Sequence, residues 1–151
     1  MKKIYSFNIR VYGLFINENN EILLADELRF GMHMTKFPGG GLKPGEGTIE
    51  CLKREAKEEF AQEIKVLKHY YTTDFFQKAL FHENQQLISV YYLASFPEKE
   101  KFRITSIPFD FDTNDNEILS FRYKPISAIP EEELSFPIDK YVLKMLKQDM
   151  K

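Results

Sequence analysis

The first forty residues alternate apolar segments with short polar turns, a pattern typical of β-strands. The segment YSFNIRVYGLFI (5–16) predicts one strand, and EILLADE (21–27) predicts a second. The polar run NENN (17–20) supplies turn-forming residues between them, so the two strands are expected to form a hairpin. A shorter strand is predicted in HMTKFPGGG (33–41), which runs directly into a glycine loop.

An amphipathic helix is predicted after the glycine loop, from Thr48 to about Ala61. Threonine is one of the residue types that cap helix N-termini, and apolar residues then recur at helical spacing. The predicted apolar stripe consists of Ile49, Leu52, Ala56 and Phe60. Such a stripe is expected to pack on a sheet.

The second half of the chain contains apolar and aromatic runs typical of further strands. These runs cover residues 64–76, 85–96 and 118–126. The segment 102–117 is interrupted by proline and by an Asp/Asn cluster, and no element is assigned to it. A C-terminal helix is predicted over residues 136–150, with Pro137 in its first turn. Strands with one internal and one terminal helix predict a mixed α/β domain.

Composition and charge narrow the class of protein. The 151 residues fit one domain spanning 1–151, and 43% hydrophobic with 29% charged residues is typical of soluble globular proteins. A net charge of −2 predicts no general attraction to nucleic-acid polymers or anionic membranes. Cys51 is the single cysteine, so no intramolecular disulfide forms and a cytoplasmic location is expected. We expect Cys51 to be a buried small side chain.

The predicted helix places three carboxylates where they repel one another. Glu55, Glu58 and Glu59 cluster about 110° from the centre of the apolar stripe, so they flank the edge of the core. Arg54 is four residues before Glu58 and can neutralise part of this charge. From these residues alone two interpretations stay open: a solvated acidic face with interspersed lysines, or a site for a cation.

The spacing around this helix favours the cation site. Gly40 is followed after five residues by Glu46, and after seven more by Arg54-Glu55-Ala56-Lys57-Glu58-Glu59. This arrangement resembles the Nudix box, G-x5-E-x7-R-E-U-x-E-E-x-G-U, in which U is aliphatic. The matching positions are Gly40, Glu46, Arg54, Glu55, Glu58 and Glu59. We therefore interpret residues Gly40 to Gln62 as a Nudix box.

Three positions depart from the family pattern. Ala56 is a small residue at an aliphatic position, Ala61 replaces the final glycine, and Gln62 stands where an aliphatic residue is usual. Ile64 lies two residues later and is expected to replace the packing lost at Gln62. These positions shape the end of the helix, whereas the charged set is complete.

The resemblance implies a fold, an activity and roles for the matching residues. Nudix hydrolases have an α/β/α sandwich with a mixed β-sheet packed between helices, and they cleave diphosphate linkages of nucleoside diphosphate derivatives by water attack on phosphorus. The resemblance implies Mg²⁺ or Mn²⁺ bound by Glu55, Glu58, Glu59 and the Gly40 carbonyl. Catalysis is expected to depend on Glu55, Arg54 and Glu58, and Glu46 with Arg54 would support the site structurally.

The general base and the substrate stay open at this stage. Glu55 is one candidate for the base. Glu117, with Asp115 nearby, is a second candidate outside the motif, although the favoured interpretation of both residues is a solvated acidic turn. Arg29, His33, Lys36 and Lys43 are candidates for contacts with phosphates or a base, and each is equally plausible as a surface residue.

The partners implied are a small nucleoside-diphosphate-type molecule, no nucleic-acid polymer and no membrane; the family also includes homodimers. An alternative function is a non-catalytic sensor that keeps the Nudix fold and binds a nucleotide metabolite. A third, an isomerase acting on prenyl diphosphates, requires catalytic residues that the sequence does not reveal. The intact set of box carboxylates favours the hydrolase.

Overall fold

The computed structural model describes residues 3–111 and 118–150 of the chain. Within these residues the backbone forms seven β-strands and two α-helices. The strands are β1 (Ser6–Phe15), β2 (Glu21–Arg29), β3 (Met32–Lys36), β4 (Gly39–Gly41), β5 (Lys65–Thr72), β6 (Gln85–Ser95) and β7 (Leu119–Pro125). The helices are α1 (Thr48–Phe60) and α2 (Pro137–Asp149), and short 3-10 turns cover Ile126–Ala128 and Glu131–Glu133.

The strands form two sheets. One has the order β4-β1-β6-β5 and is mixed, because β1 runs parallel to β6 while the other neighbours are antiparallel. The other has the order β3-β2-β7 and is antiparallel throughout. Glycine strand β4 pairs with β1, with Val11 opposite Gly40. This pairing fixes the glycine loop beside the centre of the mixed sheet.

Side-chain alternation along β1 and β2 separates two hydrophobic cores. Val11, Phe15 and Leu23 pack in the core that contains the α1 residues, whereas Leu14 and Leu24 pack in the core that contains the α2 residues. Successive strand residues point to opposite faces, so the two helices cover opposite sides of the strands. This layering confirms the predicted α/β/α sandwich, with its β-layer divided between two sheets.

The predicted hairpin is wrong in its pairing. β1 and β2 meet only at an isolated bridge between Ile16 and Ile22, at the turn, and then diverge into different sheets. The turn itself forms where expected, because the Asn17 side chain accepts hydrogen bonds from the backbone N–H groups of Asn19 and Glu21, both at 3.0 Å.

Residues 102–111, the described part of the segment to which no element was assigned, form a loop anchored on a buried carboxylate. Asp26 of β2 is fully buried and accepts hydrogen bonds from Arg122 Nε at 2.7 Å, Thr35 Oγ1 at 2.7 Å and the Phe109 backbone N–H at 3.1 Å. The chain also forms a parallel bridge from Ile104 to β7. In the described ranges, neither α-helix combines the length and apolar character that a membrane span requires.

Candidate active site

Helix α1 begins one residue earlier than the sequence predicts, because Thr48 was expected to be its N-cap. Gly47 is the N-cap, and its N–H donates to the Glu50 carboxylate at 3.1 Å. Thr48 is instead the first helical residue, and its hydroxyl forms a 2.6 Å hydrogen bond with the Tyr92 hydroxyl. The buried residues of the helix are Cys51, Leu52, Ala56 and Phe60, whereas Ile49 is exposed, so its placement in the apolar stripe was wrong.

Arg54 connects the glycine loop to the helix carboxylates. Its Nε and Nη2 atoms donate to the two oxygens of Glu46 at 2.9 and 2.7 Å, a bidentate pair. Nη2 also donates to the Gly41 carbonyl at 2.9 Å, and Nη1 donates to Glu55 at 3.0 Å and to Glu58 at 3.3 Å. The guanidinium therefore orients two carboxylates of α1 while it holds the loop in place.

Glu46 also holds the loop in place through the backbone of Lys43. One of its oxygens accepts the Lys43 backbone N–H at 2.8 Å, in addition to the two bonds from Arg54. The Arg54 hydrogen bonds, followed by the Lys43 bond, lower the pKa of the Glu46 carboxyl to about 2. Cys51 is buried next to this pair, and burial followed by the negative charge of Glu46 raises the pKa of its thiol to about 12. These shifts disfavour a thiolate nucleophile.

Gly40 is needed for space. Its φ lies outside the left-handed region, but a Cβ built on it would lie 2.3 Å from Glu55 Oε1 and 2.4 Å from the carboxyl carbon. The Glu55 carboxylate thus lies directly on the Gly40 backbone. Gly39 is required for a different reason: its φ is +152°, and its Cβ would lie 2.1 Å from the Val11 carbonyl oxygen.

Glu59 lies in a strongly negative environment. Burial raises the pKa of its carboxyl to about 8, opposed by the ammonium of Lys36 and reinforced by the charges of Glu55, Glu27 and Glu58. A small crevice beside Pro38 and Gly39 is lined by both Glu55 and Glu59. A divalent cation would relieve this accumulation of negative charge.

The donor chemistry of these residues fits a hard divalent cation. Every nearby acidic group offers carboxylate oxygens, the ligands that Mg²⁺ and Mn²⁺ prefer. Among residues 3–111 and 118–150, however, no three His, Cys, Asp or Glu side chains already converge as a ligand cluster. Arg54 donates to one oxygen of Glu55 and to both oxygens of Glu58, so an ion would have to compete with the guanidinium at Glu58 or use the other oxygen of Glu55.

A cleft lies between the two sheets and the start of α2. Arg10 of β1, Glu27 of β2 and Lys36 of β3 line it, and Lys36 Nζ is 4.0 Å from Glu27 Oε2. Arg10 interacts electrostatically with Glu55, and Lys36 with Glu59. The charges of the α1 carboxylates and of the cationic side of the cleft are therefore close enough to influence one another.

Comparison with known proteins identifies the family. The family model described as the NUDIX domain matches residues 7–146. The chain belongs to the NUDIX family. The match confirms the resemblance that the spacing from Gly40 to Glu59 indicated, and it extends from β1 into α2.

Relatives of this Nudix chain are distant or cover it in part. The mouse (Mus musculus) 8-oxo-dGDP phosphatase NUDT18 is 38% identical over 50 residues, which are 32% of this chain and 16% of that protein. The MutT protein from Methanosarcina mazei Go1 is 18% identical, with a TM-score of 0.70 over 100% of this chain and 99% of that one. A NUDIX hydrolase from Nitrosomonas europaea is 16% identical, with a TM-score of 0.69 over 96% and 90% of the two chains. These structures establish the shared fold.

The Nudix residues predicted from the sequence lie close together. Of the four residues predicted to contact the substrate, two line the cleft and two do not. Arg29 and Lys36 line the cleft. His33 packs against the rings of Phe109 and Phe111, with centroids at 4.9 and 6.3 Å, and does not line the cleft. Lys43 does not line it either, and its backbone N–H binds Glu46. Glu117 and Asp115 lie outside the described residues.

Arg10 and Glu27 are cleft residues that sequence reasoning missed. Both lie on strands outside the Nudix motif, far along the chain from α1. The available signal was alternation on β1, where Asn8, Arg10 and Tyr12 point to one face and all line the cleft. The same alternation indicates that polar residues at every second position face a cavity.

The departure from the Nudix motif at Gln62 has a structural explanation. Gln62 is buried: its amide donates to the carbonyls of Glu98 and Lys99, both at 3.2 Å, and its side-chain oxygen accepts the Lys101 N–H at 2.9 Å. It therefore anchors the turn after β6, where an aliphatic residue would leave these groups unpaired. Ile64 is buried in the α1 core, as expected.

Ala61 provides a test of the C-terminus of α1. It ends the helix in the left-handed region, with φ 51° and ψ 37°, where a Cβ is unfavourable by about 1 kcal/mol. We expect Ala61→Gly to raise the free energy of unfolding by about 0.5–1 kcal/mol, measured by urea denaturation. A lower free energy of unfolding in the variant would contradict the account of this helix end.

Asp139 at the floor of the cleft predicts a pH dependence. It is buried, accepts Tyr91 Oη–H at 2.5 Å and the Phe37 N–H at 3.4 Å, and burial raises its pKa to about 6 against the opposing influence of Lys36 and Arg10. Because the folded pKa exceeds the unfolded value of 3.8, Asp139 makes the free energy of unfolding fall as pH rises from about 4 to 6.

The expected size of this effect is about 3 kcal/mol across that window, since each pKa unit corresponds to about 1.4 kcal/mol. Urea denaturation of the wild type and of Asp139→Asn, from pH 4 to 7, measures it as the difference between the two curves. Parallel curves would show that the carboxyl ionises in the folded protein as it does in the unfolded chain.

Proposed function

We propose that this chain is a metal-dependent pyrophosphohydrolase that cleaves the diphosphate linkage of a nucleoside diphosphate derivative by water attack on phosphorus. The observation that carries the proposal is the electrostatic interaction of the α1 carboxylates with cationic side chains that line the cleft: Arg10 with Glu55, and Lys36 with Glu59. Acidic groups suit divalent cations, and the adjacent cations suit substrate phosphates, so the surface is complementary to a metal-bound diphosphate.

The cation would be Mg²⁺ or Mn²⁺, held by Glu55, Glu58, Glu59 and the Gly40 carbonyl oxygen. When bound, such an ion neutralises phosphate charge and makes water a better nucleophile near neutral pH. Arg54 would keep the Glu55 and Glu58 side chains oriented, as its hydrogen bonds to both support.

Two described carboxylates are candidates for accepting a proton from the attacking water. Glu55 lies on the Gly40 backbone, and Glu27 reaches the same surface from β2. Glu27 is therefore a candidate for the general base outside the motif, as Glu117 is. Glu117 stays a prediction.

The substrate class rests on the cleft and on one relative. The apolar and aromatic lining of the cleft suits a base, and its cationic side chains suit phosphates. The mouse relative is named as an 8-oxo-dGDP phosphatase, a nucleoside diphosphate activity. A cytoplasmic location, a single domain over 1–151 and a homodimer are further proposals, and the first is supported by the lone, buried Cys51.

A panel assay tests this proposal. Purified protein is incubated with nucleoside di- and triphosphates, dinucleotides, ADP-ribose and sugar nucleotides, in Mg²⁺, in Mn²⁺ or in EDTA, and products are separated by anion-exchange chromatography. We expect turnover of at least one compound with either metal and none in EDTA. Saturable binding of a nucleotide without turnover across the panel would favour the non-catalytic sensor.

A further inference from the structure

Arg10 is a half-buried cation with unused hydrogen-bond donors. Its Nε donates to the Tyr12 hydroxyl at 3.1 Å, and its guanidinium carbon lies 5.9 Å from the centre of that ring. Among the described residues, no acceptor bonds to either Nη group, and no carboxylate lies within 4.0 Å of the guanidinium. Four N–H donors that face a cleft without a protein partner need an anionic ligand or water.

The backbone holds this guanidinium in a defined place. Arg10 pairs with Gly41 of β4 on one side and with Ser89 of β6 on the other, so its strand is internal to the mixed sheet. A Cβ on Gly41 would lie 3.4 Å from Arg10 Nη1. The side chain therefore extends beside the glycine strand whose previous residue, Gly40, contacts Glu55.

The other two cations of the cleft are less available. Lys36 is buried, and its ammonium lies 4.0 Å from Glu27 and in the fields of Glu59 and Asp139. The Arg29 guanidinium is exposed at the end of β2 and lies 5.0 Å from the centre of the exposed Phe30 ring, so it is held less firmly than Arg10. Arg10 is thus the cleft cation that combines a fixed position near Glu55 with open donors.

The geometry points to Arg10 as a substrate-binding residue whose guanidinium binds a phosphate group of the diphosphate in the cleft. The inference rests on the proposed function, since it assigns the phosphate-binding group of the same site. A guanidinium offers two parallel N–H groups that match two oxygens of a phosphate, which a lysine ammonium does not. Arg10 therefore positions the diphosphate next to the acidic helix, and its loss weakens substrate binding more than it alters the chemical step.

The test measures binding of methylenediphosphonate, a diphosphate that resists hydrolysis, by calorimetry in MgCl₂ and in EDTA. Arg10→Gln is compared with the wild type and with Arg103→Gln, a matched loss of charge at an arginine that pairs with Asp110 outside the cleft. We expect Arg10→Gln to bind at least about tenfold more weakly, with Arg10→Lys intermediate and Arg103→Gln like the wild type. For any substrate turned over, KM should rise by a similar factor with kcat changed less.

Thermal unfolding establishes that each variant is folded, and where Arg10→Gln does not fold, Arg10→Lys decides. Equal affinity of the folded Arg10 variant and the wild type, or no saturable binding by the wild type in either buffer, overturns the inference. If Arg10→Gln loses diphosphonate affinity but the wild type hydrolyses no compound, the binding role of Arg10 is supported and the proposed hydrolase activity is refuted. If turnover depends on metal and KM is unchanged in Arg10→Gln, the binding role of Arg10 is refuted and the proposed hydrolase activity is supported.

Discussion

Glu58→Gln is expected to lower metal-dependent turnover by about 10³-fold while the protein stays folded. The substitution removes a charged ligand from the proposed cation site and keeps the side-chain size, so the effect falls on the stabilisation of transition-state charge. Glu58 is half-exposed, and its 3.3 Å pair with Arg54 is an i,i+4 surface interaction, so the free energy of unfolding should change by less than about 0.5 kcal/mol. Initial rates and urea denaturation measure the two quantities.

Glu50→Gln is the matched control for this variant. Glu50 lies on the same helix and loses the same charge, but its carboxylate caps Gly47 and has no bond to Arg54. Its turnover should equal that of the wild type. If both glutamine variants retain full activity, the carboxylates of α1 are an acidic surface and the proposed site is wrong.

The adjacent glycines Gly39 and Gly40 should respond to alanine in opposite ways. Gly39→Ala forces a Cβ to 2.1 Å from the Val11 carbonyl oxygen at a φ of +152°, so neither backbone can adjust freely. We expect a loss of at least about 3 kcal/mol in the free energy of unfolding. Gly40→Ala meets the Glu55 carboxylate at 2.3 Å, the movable end of a side chain.

Gly40→Ala should therefore fold with a melting temperature near that of the wild type and lose about 10²-fold in turnover. The Glu55 carboxylate would be displaced from its position against Arg54, and a displacement of about 1 Å at a catalytic group has effects of this size. Differential scanning calorimetry and initial rates on both variants form the test. A stable Gly39→Ala protein, or a fully active Gly40→Ala protein, would contradict the geometry described for the glycine strand.

The charged motif could be predicted from the sequence because its interactions are local. Glu46, Arg54, Glu55 and Glu58 lie on one loop and one helix, and their hydrogen bonds span eight residues or fewer. The structure also gives a different reason for the glycine at position 40 of the motif. The glycine at position 40 is explained by the carboxylate of Glu55 on its backbone, which a spacing pattern cannot reveal.

Strand pairing could not be predicted because it depends on contacts distant in the chain. β1 and β2 are neighbours in sequence and have a turn between them, yet β1 pairs in parallel with β6, where Val11 lies opposite Val90. Both strands contribute side chains to the core under α1, yet beyond their turn they pair with different strands. The turn residues correctly predicted the turn, but they carried no information about which strands pair in each sheet.

The cleft residues were missed for the same reason. Arg10 and Glu27 come within electrostatic range of the α1 carboxylates only because the two sheets bring β1 and β2 to the same cleft. At the ends of α1, Gly47 replaced Thr48 as the cap because the threonine hydroxyl is bonded to Tyr92, on a strand far along the chain. In each case a tertiary contact decided between alternatives that the local sequence allowed.

A Mn²⁺ titration followed by EPR, with turnover measured on the same samples, tests the central claim that the α1 carboxylates hold the cation needed for hydrolysis. The account predicts saturable Mn²⁺ binding by the wild type and by Glu50→Gln, at least about tenfold weaker binding by Glu58→Gln and Glu59→Gln, and turnover that rises with bound Mn²⁺. Equal Mn²⁺ affinity in all four proteins, or turnover that persists in EDTA, would contradict it.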